Sequence, residues 1–173
     1  MKRTMLRNKC GIIMTVVILM ISVVPVTEQS VRAQDGAPER SIEGVWLVKI
    51  TPRNCTTGEP RGEAFETLFT FYKDGTMLVS FRNNTFALER TAAHGLWRRE
   101  HGWSDYSFKF VHIRRNLTTG LFAGKQEGGG TVVLSESGDE FTTDGYSIVY
   151  SVDGIPGTPG CSNSVGTRFK LEQ

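Results

Sequence analysis

From Glu43 to Leu171 the sequence reads as eight strand segments in succession, with no amphipathic helix of convincing length among them. The segments are Glu43–Thr51, Ala64–Lys73, Thr76–Arg82, Thr91–Arg99, Ser104–Arg114, Leu121–Glu136, Glu140–Val152 and Ser164–Leu171, separated by Gly, Asp and Asn. Successive strands joined by turns run antiparallel, and a meander of this length avoids open edges by closing on itself. The spacing predicts an all-β fold, an eight-stranded antiparallel up-and-down barrel. Cys55 follows the first segment and Cys161 precedes the last. If those two segments pair, both sulfurs fall on one rim and can bond across the seam. An open sheet would hold its edge strands beyond the reach of a disulfide.

Two hairpins fix which side chains share a face. Asp74-Gly75 reads as a two-residue turn that sets Phe69 and Phe71 beside Ser80 and Leu78. Leu68, Thr70, Tyr72, Met77, Val79 and Phe81 then occupy the opposite face. A turn centred between His101 and Gly102 pairs His94 with Lys109 and puts Trp97, Tyr106, Phe108 and Phe110 on one face. That aromatic face is the predicted interior. With both faces of residues 64–82 apolar, either a covering loop or a subunit interface in a homo-oligomer is expected. Gly128-Gly129-Gly130 inside a strand pattern suggests a bulge or a barrel corner.

The first 33 residues read differently. Lys2, Arg3, Arg7 and Lys9 make a basic start, an apolar run extends from Gly11 to Val26, and Val31-Arg32-Ala33 offers a cleavage site. This is the layout of a secretory signal, with an apolar run shorter than the roughly 20 residues of a spanning helix. Residues 1–33 are therefore predicted to be a cleaved signal peptide, 34–41 a flexible lead-in and 42–173 a single barrel domain. The expected location is the periplasm or the cell exterior, with no stable membrane anchor after cleavage. Lys2, Arg3, Arg7, Lys9 and Arg32 against Glu28 give the leader +4, so the whole chain's +2 leaves −2 for the remainder. Nucleic acid is not an expected partner of such a domain. Cleavage also removes Cys10. In an oxidising compartment Cys55 and Cys161 read as one disulfide, with two unrelated buried thiols as the other reading. Asn54, Asn83 and Asn116 open Asn-x-Thr sequons, expected to stay unmodified behind a leader of bacterial character.

Gly44-Val45-Trp46 opens the first segment, and Gly166-Thr167-Arg168-Phe169 lies in the last. Together they resemble the lipocalin and calycin arrangement, in which a Gly-x-Trp of the first strand packs beneath an arginine of the closing strand. The resemblance implies that Trp46 and Arg168 form a structural pair, a cation–π stack that plugs one barrel end. The chain departs from lipocalins in lacking their middle-loop motifs and C-terminal helix. It is also similar to small exported bacterial proteins of uncharacterised function. That similarity runs through Gly44 to Trp46, Thr70-Phe71, Gly95 to Trp97, and Gly160-Cys161 to Phe169.

The sequence holds no nucleophile elbow, Ser-x-x-Lys, His-Glu-x-x-His or phosphate loop. Hairpin parity sends His94 and His112 to opposite faces, so no metal site is expected, and no cofactor. What remains is the aromatic interior. Phe69, Phe71, Trp97, Tyr106, Phe108 and Phe110 are the candidate walls of a ligand site, with His112 and Tyr146 as polar contacts. The leading reading is an exported lipocalin-like barrel that binds a small hydrophobic ligand, with no catalytic residue assigned. Two others stand beside it. One is an isomerase- or cyclase-type enzyme that confines an apolar substrate beside one acid–base group. The other is an interaction module with a solid core.

Overall fold

The computed structural model describes residues 40–81 and 88–171. The predicted signal peptide, most of the lead-in and Asn83 lie outside the described residues. Nine strands occur among them: β1 (Gly44–Arg53), β2 (Phe65–Phe71), β3 (Thr76–Phe81), β4 (Leu88–Arg90), β5 (Ala93–His101), β6 (Asp105–Asn116), β7 (Phe122–Leu134), β8 (Glu140–Tyr150) and β9 (Gly160–Arg168). Hydrogen bonding runs β1-β2-β3-β5-β6-β7-β8-β9 and returns to β1, antiparallel throughout. The fold is an eight-stranded closed antiparallel barrel with up-and-down, lipocalin-like topology. Among the described residues no helix is long and apolar enough to cross a membrane.

The short β4 does not add a ninth position. It pairs with Arg114–Asn116, on the same edge of β6 that carries β5. β4 and β5 are one barrel strand broken at Thr91-Ala92. Arg90 faces Arg114 and His94 faces Val111, so one extra residue bulges from the β4–β5 side. Thr91 holds the break by donating its N–H to the Ile113 carbonyl and accepting the Ile113 N–H on its hydroxyl, both at 3.1 Å.

The two hairpins depart from expectation in opposite ways. Between β5 and β6, Trp97 pairs with Phe108 and His94 with Val111, two residues from the predicted register. A shift of two preserves parity, so Trp97, Tyr106, Phe108 and Phe110 do share a face. Between β2 and β3, Phe71 pairs with Met77 and Phe69 with Val79, one residue from the predicted register. The turn is the cause. Tyr72 N–H donates to the Thr76 carbonyl at 2.9 Å and Gly75 N–H to the Tyr72 carbonyl at 3.1 Å, so three residues make the loop, not two. Gly75 takes φ 84°, and the Asp74 carboxylate accepts from both the N–H and the hydroxyl of Thr76. This is a type I turn closed by a bulge at glycine. A one-residue slip turns a strand over. Met77, Val79 and Phe81 line the interior beside Phe69 and Phe71, while Leu78 and Ser80 face outward. Burial alternates along the strand pair, while Leu68 and Tyr72 remain exposed on the outer face beside Val45 and Leu47 of β1.

The glycine run is not a bulge either. β7 keeps one register with β8 from Lys125 to Leu134 and one with β6 from Lys125 to Val133. A Cβ on Gly128 would strike the ring of Phe110, and one on Gly130 would strike the backbone of Asp144 and Gly145. The glycines allow close approach, with no interruption of the strand.

Cys55 and Cys161 are bonded, with Cα atoms 5.2 Å apart. Cys161 lies inside the last strand, since β9 begins four residues before the predicted segment and Cys161 pairs with Arg53 at the end of β1. The rim carries one turn twice. Asn54 and Asn116 each open an Asn-x-Thr-Thr-Gly sequence. Each side-chain oxygen accepts the N–H groups two and three residues on, and each main-chain carbonyl accepts the N–H of Gly58 or Gly120. The two sequon asparagines therefore build matching Asx turns after β1 and β6.

Candidate functional site

One end of the barrel is packed solid. Trp46 is fully buried, its ring centroid 4.8 Å from that of Phe141, and its indole N–H donates to the Ile42 carbonyl at 2.8 Å. The Arg168 guanidinium lies over it, Cζ 4.3 Å from the ring centroid. Arg168 donates to the carbonyls of Gly138, Glu43 and Ser41 at 2.8, 2.7 and 2.5 Å. One side chain thus ties the approach to β1, the β7–β8 turn and β9 together. Ser41, the last residue of the predicted lead-in, is buried here, so the packed domain begins one residue earlier than expected. Gly44, at φ 121°, leaves the guanidinium its space.

Beyond the plug stands a wall of rings. The Phe69 centroid lies 6.1 Å from Phe71, 5.8 Å from Phe108 and 6.3 Å from Phe110, all edge-on. Phe108 and Phe110 lie parallel at 6.1 Å. Such pairs stabilise beyond their buried area. Trp97 is half-buried, 5.7 Å from Tyr106, and its indole N–H donates to the Tyr72 carbonyl at 2.9 Å. Tyr106 is buried, and its hydroxyl donates to the Trp103 carbonyl at 2.8 Å and accepts from Arg99 at 3.2 Å. That hydroxyl is therefore engaged by the protein itself. Tyr146 needs correcting. It is 41% exposed on the outer face, covering Gly129, because Phe141, Thr143 and Gly145 take the inward positions of β8. It does not line the interior.

Beyond Phe141, the inward positions of β8 and β9 carry small groups: Thr143, Gly145, Ser147, Ser162 and Ser164. Burial of the inward side chains falls away from the plug. Trp46 is at 0% exposure, Phe108 and Phe110 reach 8% and 9%, and Phe81, Ser147, Val149 and Ser162 are only half-buried. Exposure of the described inward side chains thus rises towards the end that carries the disulfide.

His112 sits in this half and is nonetheless buried, at 1% exposure. Its ring lies 5.2 Å from that of Phe81, and Gln126 and the Ile113 backbone lie beside its nitrogens, though no described group meets strict hydrogen-bond geometry with them. Burial first, and the Arg90 guanidinium second, hold its pKa well below the ordinary 6.5, at about 4. Between pH 6.5 and 4 the unfolded chain takes up a proton that the folded barrel refuses at this position. Stability contributed through His112 is thus intact above pH 6.5 and declines as the pH falls towards 4. Denaturation followed from pH 7 to 4 is expected to show a steeper loss in the wild-type protein than in His112→Phe. Parallel curves would contradict this.

His94 and His101 are exposed, apart from His112, and no cluster of three His, Cys, Asp or Glu among the described residues could hold a metal ion. On the outer surface Lys109 and Lys125 both pair with Glu127, at 3.0 and 2.8 Å. A groove of about 330 Å³ between β3 and β5, lined by Tyr72, Thr76, Met77, Leu78, His94 and Gly95, also lies outside the lumen. No family model and no curated protein matches this chain.

Proposed function

We propose that the protein is an exported, lipocalin-like barrel that binds one small hydrophobic molecule in its lumen. The observation that carries this reading is the gradient of burial along the inward side chains. Phe81, Phe108 and Phe110 share the interior with the serines and threonine of β8 and β9, so large apolar surface meets little bulk there. A concave, largely apolar site with a few polar groups is the general form of a small-molecule pocket. Export fits the predicted leader and the Cys55–Cys161 bond, which belongs to an oxidising compartment. A catalytic version of the same site would have His112 as its acid–base group, since the Tyr106 hydroxyl is already bonded.

Titration with a neutral fluorescent probe such as N-phenyl-1-naphthylamine tests the reading. Saturable one-to-one binding is expected. Phe108→Ala should weaken it by roughly tenfold, in keeping with one aromatic contact of about 1.4 kcal/mol. Lys109→Ala, on the outer face, should leave it unchanged. No binding, or equal effects of the two substitutions, would favour the solid-core interaction module. Native mass spectrometry of protein from its own host would then show whether a ligand is retained.

A further inference from the structure

We infer that the outer face of β1, β2, β3 and β5 is a two-fold interface between two copies of this chain, the Leu47–Leu68 ridge of each copy seated in the groove beside Tyr72 of the other. This face lies outside the barrel and is independent of what the lumen holds. The strand registers bring a set of apolar side chains together in water. Leu47 of β1 pairs with Leu68 of β2, Val45 lies two residues along on the same face, and Tyr72 follows four residues after Leu68. Phe169 donates its N–H to the Val45 carbonyl at 2.8 Å and flanks the patch on one side. Leu96, paired with Thr76, flanks it on the other. Exposure runs from 36% at Val45 to 67% at Leu96 and Phe169.

The amount of surface suits a dimer. These six side chains leave in water the equivalent of about three whole large residues, on the order of 500 Å². A standard interface covers about 800 Å² on each partner and is about 65% apolar in homodimers, again on the order of 500 Å². The relief of the face points to a second copy as the occupant. Leu47 and Leu68 project from neighbouring strands. The groove of about 330 Å³, with Tyr72, Leu78 and His94 in its lining, lies on the next two strands, β3 and β5. In a two-fold contact residue i meets j and j meets i, so one face must carry both halves of the fit. Here the ridge and the recess stand side by side. Charge agrees with this. At the border of the patch Lys49 pairs in register with Glu66, so each face carries one charge of either sign and two identical faces need not repel. The same pair disfavours a lipid surface, as do Lys109, Lys125 and Glu127 on the outside of β6 and β7. A barrel in a membrane needs an apolar band round its whole circumference.

Sedimentation equilibrium of the folded, disulfide-bonded protein from about 1 to 100 μM is the test, because a dimer gains population with concentration. The wild type is expected to reach twice the chain mass within that range. Leu68→Glu puts a carboxylate into both halves of each dimer and should weaken association by roughly 100-fold or more. Leu117→Glu, at an exposed leucine between β6 and β7, should associate as the wild type does. Urea denaturation at the lowest concentration should find Leu68→Glu close to the wild type in stability, which separates loss of the dimer from loss of the fold. Isotope-filtered NMR on mixed labelled and unlabelled wild type needs no variant. Contacts from the Leu47 and Leu68 methyls of one copy to the Tyr72 and His94 rings of the other are expected. A wild type that stays monomeric at about 100 μM, a dimer indifferent to Leu68→Glu, or intermolecular contacts that omit the ridge would overturn the interface. None of these outcomes bears on the probe titration that tests the lumen.

Discussion

Replacing Cys55 and Cys161 together by alanine is expected to lower the free energy of unfolding by up to about 4.7 kcal/mol. The bond closes a loop with a sequence separation of 106 residues, near the long end of what a single domain contains. Without it the unfolded chain regains the freedom to separate its first and last strands. Strain does not enter this argument, which concerns the unfolded chain alone. The ceiling is lowered by whatever residual contacts the unfolded chain keeps. Urea denaturation of the double variant beside the oxidised wild type measures the difference, and the reduced wild type should coincide with the variant. Coincidence of all three curves would show that the seam is held by its ladder alone.

Trp46→Ala is expected to cost about 3–5 kcal/mol, the range for truncating a fully buried aromatic ring. Three losses combine at this position. The packing against Phe141 goes, the Ile42 carbonyl loses its donor, and the Arg168 guanidinium loses the ring beneath it. Arg168 would still hold three carbonyls, so the approach to β1 should stay docked while the core beneath it opens. Trp46→Phe keeps a ring and should lose clearly less. Because the two side chains touch, their substitutions should not add, and a double-mutant cycle with Arg168→Ala should report the coupling. A loss for Trp46→Ala no greater than that of an exposed site would mean that the plug does not hold this end shut.

Closure of the barrel was legible because it follows from strand count, turn spacing and the place of two cysteines. Residue parity was legible only where the turn length was right, or wrong by an even number. The His101-Gly102 turn shifted by two and still returned the aromatic face, whereas the Asp74-Gly75 turn shifted by one and turned β3 over. Asp-Gly fits a two-residue loop and the last two places of a three-residue loop equally well, and only the Tyr72–Thr76 pairing decides between them. Tyr146 was misplaced for a related reason. Gly145 is an ordinary inward position in the sheet, which sends its neighbour outside. The break at Thr91-Ala92 left no mark, since nothing local distinguishes a bulge there from a strand end. Nor could the sequence show that the Tyr106 hydroxyl has protein partners, which depends on Trp103 and Arg99 both reaching it.

The β1–β9 seam, fastened by Arg168 over Trp46 at one end and by the disulfide at the other, also bears on the order in which the chain can fold. Each other neighbouring pair in the ring follows closely in sequence, so those hairpins can form as the chain is made. β1 is different: one edge finds β2 early, but the other has no partner until residues 160–168 have been synthesised. A free edge of this kind invites pairing with other chains. Such long-range closure is slow, because the entropy of bringing distant segments together must be overcome before their contacts form. Both fastenings join β1 or its flanks to β9, so neither can act before the last strand arrives. Until β9 pairs, one edge of β1 has no partner in the finished ladder, so slower closure would lengthen its exposure to aggregation.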